Sequence, residues 1–75
     1  MPYIAVKAYP KDPKIKAQVA DRIAAAFAEL WGCAPEAISI SFEEIQPEDW
    51  EDTVVKPIIE PNVDKMYVLN GQKRY

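Results

Sequence analysis

The fold is decided by residues 2–45, which read PYIAVKAY (2–9), PKDP (10–13), KIKAQVADRIAAAFAELW (14–31), GCAPEA (32–37) and ISISFEEI (38–45). In the first segment Ile4, Val6 and Ala8 alternate with residues that face the other way, and this period of two predicts a strand from Tyr3 to Tyr9. The last segment alternates in the same manner. It predicts a second strand from Ile38 to Ile45.

A long amphipathic helix is predicted between the two strands, from Pro13 to Trp31. Asp12 suits the N-cap and Pro13 the first helical position, and Gly32 suits the C-terminal cap. The apolar stripe recurs at spacings of three and four: Ile15, Val19, Ile23, Ala26, Phe27 and Leu30. A strand, a helix and a strand in this order form a β-α-β unit, whose two strands should be parallel.

The remaining residues predict short elements. The acidic residues near Glu48 favour a helix from Glu48 to Val55, and Pro57 and Pro61 are expected to prevent a longer one. Residues 65–73 predict a strand that ends in an Asn-Gly turn. We therefore predict an α/β fold in one domain, residues 1–75, with a two-stranded parallel core and a short C-terminal hairpin.

Size and composition favour a small oligomeric protein. A domain of 75 residues buries only about 60% of its unfolded surface, so it needs further stabilisation. Cys33 is the single cysteine and histidine is absent, which excludes a disulfide framework and disfavours a zinc site. The net charge of −3 disfavours nucleic acid as a partner. Neither a signal peptide nor a membrane span is visible, and a free thiol fits the cytoplasm.

Pro2 is the residue with the most distinctive chemistry. A chain that begins with proline offers a secondary amine, and a terminal amine titrates near neutral pH, where this histidine-free chain has few other groups. With Met1 attached, the nitrogen of Pro2 is a tertiary amide and has no basic lone pair. Any catalytic role of Pro2 is therefore conditional on removal of Met1.

Taken together, these features resemble the tautomerase superfamily, whose best-known member is 4-oxalocrotonate tautomerase. The resemblance rests on Met1-Pro2 opening directly into a strand, the long amphipathic helix, the Ala34-Pro35 turn and the strand ISIS at 38–41. The stretch IQPEDW at 45–50 resembles more specifically the phenylpyruvate-type subgroup of that family.

The resemblance implies a keto–enol tautomerase that acts on a small 2-oxo or enol acid without metal or organic cofactor. Pro2 would be the general base, and Lys11, Ser39, Trp50 and Tyr3 would bind the substrate. Family members that act on dicarboxylates use two arginines, whereas this chain has Lys11 near the first position and Ser39 at the second. The bidentate clamp that arginine provides is thus missing, which favours a monocarboxylate such as a phenylpyruvate-like enol.

The resemblance also implies a homo-oligomer: a dimer whose protomers join into a four-stranded sheet, or a hexamer of three such dimers. Structural alternatives remain open for the candidate residues. Lys11 fits a solvated loop, Ser39 and Ser41 fit a subunit interface, and Trp50 fits ordinary packing. The acidic run at 43–52 fits a solvated face. A non-catalytic ligand-binding or interaction module on the same scaffold is the alternative function, and a retained Met1 would favour it.

Overall fold

The computed structural model describes all residues, Met1–Tyr75, and divides them into two compact units, Met1–Ile45 and Gln46–Tyr75. The first unit contains strand β1 (Tyr3–Ala8), helix α1 (Pro13–Trp31), a 3-10 turn (Pro35–Ala37) and strand β2 (Ser39–Glu44). The predicted β-α-β unit is confirmed. That residues 1–75 fold as one domain stays a prediction.

The two long strands pair in parallel, from Tyr3 opposite Ser39 to Ala8 opposite Glu44. Their side chains alternate as predicted. The face toward α1 is half-buried and carries Ile4, Val6, Ile40 and Phe42. The opposite face is exposed at Tyr3, Ala5, Ser39 and Ser41. Because parallel sheets are normally covered on both faces, we expect other protein surface to pack against this exposed face.

Helix α1 has the ends that its sequence predicts. The side chain of Asp12 accepts a hydrogen bond from the Lys14 N–H at 2.8 Å, which satisfies one of the free donors of the first turn. At the other end Gly32 adopts a left-handed conformation, with φ of 79°, and its N–H donates to the Ala28 carbonyl. No residue of α1 is fully buried, and Leu30 and Trp31 are 84% and 73% exposed.

The second unit corrects the predicted helix from Glu48 to Val55, which Pro57 was expected to limit. A 3-10 turn (Pro47–Asp49) leads into a π-helical segment (Glu51–Ile59) that continues through the proline, and a second 3-10 segment (Glu60–Lys65) follows. A proline inside an α-helix clashes with the carbonyl four residues earlier. The wider turn avoids this, since the Glu60 N–H bonds to the Val55 carbonyl, five residues back.

The chain ends in a hairpin of two short antiparallel strands, β3 (Val68–Leu69) and β4 (Gln72–Lys73). The turn residues Asn70 and Gly71 both have positive φ, 50° and 80°, as a two-residue hairpin turn requires. The predicted Asn-Gly turn is confirmed, but the strand before it is shorter than predicted, because Lys65 still belongs to the second 3-10 segment. None of the helices combines the length and the apolar character needed to cross a membrane.

Candidate active site

Pro2 lies at the end of the sheet where both strands begin, directly before β1. Its carbonyl accepts a hydrogen bond from the Ser39 N–H at 3.1 Å, so the residue is tied to the start of β2. Pro2 is half-buried, whereas Met1 is 96% exposed. Met1 therefore contributes almost no buried surface, and its removal would leave the position of Pro2 to be fixed by the sheet.

Tyr3 and Ser39 lie at the same end of the strands as Pro2, and their roles in substrate binding stay predictions. They face each other in the parallel register, on the exposed side of the sheet. The Tyr3 hydroxyl forms a hydrogen bond with the Ser41 hydroxyl at 2.7 Å. This bond orients the Tyr3 ring along the sheet face. The neighbourhood of Pro2 thus offers the hydroxyl groups of Tyr3, Ser39 and Ser41, while the Ser39 N–H is already bonded to the Pro2 carbonyl.

Lys11 lies at the opposite end of the strands. Its main-chain N–H donates to Oε2 of Glu44 at 3.0 Å, and Glu44 is the partner of Ala8 at the last position of the sheet. At a rise of roughly 3.3 Å per residue, the six steps along the chain from Pro2 to Ala8 span about 20 Å. One small substrate cannot touch both Pro2 and Lys11 of the same chain.

Trp50 belongs to the second unit, where it precedes the π-helical segment and is half-buried. Its assignment as a pocket wall stays a prediction. No group of three or more acidic, histidine or cysteine side chains is arranged to hold a metal ion.

A cavity of about 160 Å³ opens beside Lys11, between α1 and the ends of the two strands. Its apolar lining comes from both layers: Val6, Ala8, Ile15, Val19 and Phe42. Sequence reasoning missed this cavity, although its lining residues are members of the predicted apolar stripes. The signal was incomplete because a stripe shows which side chains face inward but not whether they fill the space between the layers.

Charged groups on the rim of this cavity are mostly paired. The Lys16 ammonium donates to Oε2 of Glu44 at 3.0 Å, and Lys7 pairs with Glu43. The pKa of Glu44 is lowered, first by the hydrogen bond from the Lys11 main chain and then by the bond from Lys16. Glu44 is therefore a carboxylate at neutral pH. The ammonium of Lys11 forms no ion pair.

No family model matches the chain. Curated proteins do match it over most of its length. It is 40% identical over 68 residues to Tautomerase PptA of Pectobacterium atrosepticum, and this alignment covers 88% of this chain and 90% of that protein. It is 37% identical over 68 residues, with the same coverage, to Tautomerase PptA of Pectobacterium carotovorum.

These matches agree with a β-α-β unit that begins directly after a proline at position 2. The chain belongs to the tautomerase superfamily, in the family of 4-oxalocrotonate tautomerase, as its sequence predicted. The prediction that it is an enzyme of the tautomerase class, and so an isomerase, is confirmed by the same relatives.

Proposed function

We propose that the chain interconverts the keto and enol forms of a small 2-oxo acid, with Pro2 as the general base once Met1 has been removed. The observation that carries this proposal is the hydrogen bond from the Ser39 N–H to the Pro2 carbonyl. It holds Pro2 at the start of the strands, while Met1 lies exposed outside the fold. An α-amino group titrates at about 7.7–8.0, close to the pH at which a general base works best.

The proton shift needs only one group that can take and return a proton. The Pro2 nitrogen removes a proton from the carbon beside the ketone, the C–H electron pair becomes the carbon–carbon double bond, and the carbonyl electron pair moves to oxygen. The resulting enolate oxygen takes a proton to give the enol. Main-chain N–H groups or the Ser39 hydroxyl would stabilise the negative oxygen. The reverse sequence gives the ketone. Because only a proton changes position within one molecule, no net redox change occurs.

Lys11 is proposed to hold the substrate carboxylate, because its ammonium is free of ion pairs and borders an apolar cavity. A single cation beside apolar side chains suits a monocarboxylate with an aromatic or aliphatic tail, and a phenylpyruvate-like enol has this chemistry. A cavity of about 150 Å³ lined by apolar residues accommodates a benzene ring in another protein. Tyr3 and Trp50 are also proposed to contact the substrate.

A homo-oligomer is part of this proposal. Pro2 and Lys11 lie at opposite ends of one sheet, so the Lys11 that holds a substrate at Pro2 must come from another protomer. Two protomers that join their sheets into four strands would supply it, and a hexamer would contain three such pairs. The exposed sheet face and the exposed apolar residues of α1 also favour burial between protomers.

Intact mass and enol ketonisation test the proposal together. We expect untagged protein to lack the mass of methionine and to accelerate the ketonisation of the phenylpyruvate enol, followed by ultraviolet absorbance. Replacement of Pro2 by Ala keeps a terminal amine but changes its basicity and geometry, and should lower kcat by about 100-fold or more. Unchanged activity in Pro2→Ala would exclude the role of Pro2. A retained Met1 in an inactive protein would support the non-catalytic module instead.

A further inference from the structure

Three lysines surround the end of the sheet where Lys11 lies, but they differ in their partners. Lys7 is paired with Glu43, and Lys16 is paired with Glu44. Lys11 alone has an ammonium without an ion pair. Among these three lysines, only Lys11 therefore keeps an ammonium that no carboxylate neutralises.

Lys16 is close enough to the cavity to act on a ligand. Its side chain lines the cavity together with Lys11 and Glu44. Oε2 of Glu44 accepts both from the Lys16 ammonium and from the Lys11 main chain, each at 3.0 Å. Two residues that share one acceptor oxygen are near neighbours. Without the ion pair to Glu44, the Lys16 ammonium would be a second free cation near Lys11.

We propose that Glu44 is a specificity-determining residue: by engaging Lys16 it leaves a single free cation at the cavity and restricts the site to substrates with one carboxylate. This inference rests on the function proposed above, in which Lys11 holds the substrate anion. Glu44 acts through Lys16 and through the main chain of Lys11, so it is a positioning residue and touches no reacting atom.

The lowered pKa of Glu44 agrees with this role, because the side chain is an anion wherever the enzyme encounters a carboxylate substrate. A free Glu44 carboxylate would repel substrate anions. The Lys11 N–H and the Lys16 ammonium, which both donate to Glu44, reduce that repulsion. The same contact neutralises the charge of Lys16. The rim therefore presents one positive charge to a ligand in place of two.

Replacement of Glu44 by Gln tests the inference, because Gln keeps an acceptor for the Lys11 N–H but has no charge to hold Lys16. Benzoate and isophthalate serve as unreactive probes with one and two carboxylates on the same ring, and their Kd values are measured by NMR titration. In Glu44→Gln the Kd of isophthalate should fall about threefold relative to that of benzoate, the size of an exposed ion-pair effect.

Two further variants control for general charge. Asp52→Asn makes the same change in net charge and releases Lys56 from its ion pair, but neither residue lines the cavity, so the ratio of the two Kd values should stay at its wild-type value. The double variant Lys16→Met with Glu44→Gln should lose the gain for isophthalate. An unchanged ratio in Glu44→Gln, or an equal change in Asp52→Asn, would overturn the inference.

Kinetics and a single Lys16 variant separate this inference from the proposed function. In Glu44→Gln a dicarboxylate enol should gain through a lower KM with kcat unaltered, which loss of folding would not produce. Lys16→Met leaves Glu44 unpaired and should weaken benzoate binding, so the inference is testable even if Glu44→Gln fails to fold. Benzoate that fails to bind wild-type protein contradicts the substrate site at Lys11; normal benzoate binding with an unchanged ratio contradicts only the role of Glu44.

Discussion

The separation of Pro2 from Lys11 predicts that each active site is shared between two protomers. The six steps along the extended chain from Pro2 to Ala8 span about 20 Å, and Lys11 is held beyond that end of the strand by Glu44. A substrate the size of phenylpyruvate cannot bridge this distance. Mixing two inactive variants, Pro2→Ala and Lys11→Ala, should therefore restore activity, because a mixed pair contains one intact site.

The expected recovery follows from random pairing. An intact site needs Pro2 from a Lys11→Ala protomer and Lys11 from a Pro2→Ala protomer. When equal amounts of the two variants associate at random, about a quarter of the sites in a two-fold symmetric pair meet both conditions. The same fraction holds in a hexamer made of three dimers if each site takes Lys11 from one neighbouring protomer.

Each variant must be impaired enough for the recovery to be visible. Loss of a hydrogen bond to a charged group costs about 1.5–3 kcal/mol, so Lys11→Ala should lower kcat/KM roughly 10- to 150-fold. Pro2→Ala should be impaired at least as strongly, because it alters the base itself. A recovery to about a quarter of wild-type activity then stands clearly above the mean of the two variants.

The assay is ketonisation of the phenylpyruvate enol after the two variants are unfolded together in urea and refolded. Native mass spectrometry measures the fraction of mixed oligomers. A mixture of Pro2→Ala with Lys14→Ala is the matched control, since Lys14 uses only its main-chain N–H in the helix cap and its variant should supply active sites by itself. Mixed oligomers whose activity equals the mean of the two parent variants would refute the shared site.

Two further predictions concern stability. Asp12→Ala should lower the free energy of unfolding by about 1 kcal/mol, because the N-cap hydrogen bond from the Lys14 N–H is lost. Urea denaturation measures this loss, with Asp21→Ala as an exposed control in the middle of the helix. Equal losses in both variants would contradict the N-cap assignment. The lowered pKa of Glu44 stabilises the fold above its unfolded-state value of 4.5, and this contribution is lost as the pH falls through the lower folded-state pKa. Melting temperature between pH 6 and pH 2 should therefore fall less steeply in Glu44→Gln than in wild type; parallel curves would contradict the ion pair.

Local signals in the sequence predicted the elements whose ends depend on neighbouring residues. Asp12, Gly32 and the Asn70-Gly71 turn act within a few residues, so their sequence context was sufficient. The extent of the helical segment around Pro57 was predicted wrongly, because a proline rules out a regular α-helical turn but not a π-helical one. The sequence also indicated an acidic run without distinguishing its members.

Glu44 shows why the candidate site was harder to predict than the fold. Its partners Lys11 and Lys16 lie 33 and 28 residues earlier in the chain, and only the parallel register brings them together. The same register separates Pro2 from Lys11, which the sequence places only nine residues apart. Distance along the chain was therefore misleading in both directions, and pairing of the two strands decides which charges meet.

In the proposed oligomer, contact between protomers would complete the active site as well as stabilise the fold. Both strands of a parallel pair begin at one edge and end at the other, so a base that precedes β1 and a cation that follows it are always apart in one protomer. A two-fold axis that pairs β1 with β1 of the partner subunit in antiparallel fashion would place the start of one strand beside the end of the other. Each oligomer contact of that kind would complete two sites at once, and a monomeric variant that remained folded should bind benzoate at Lys11 yet fail to move the proton.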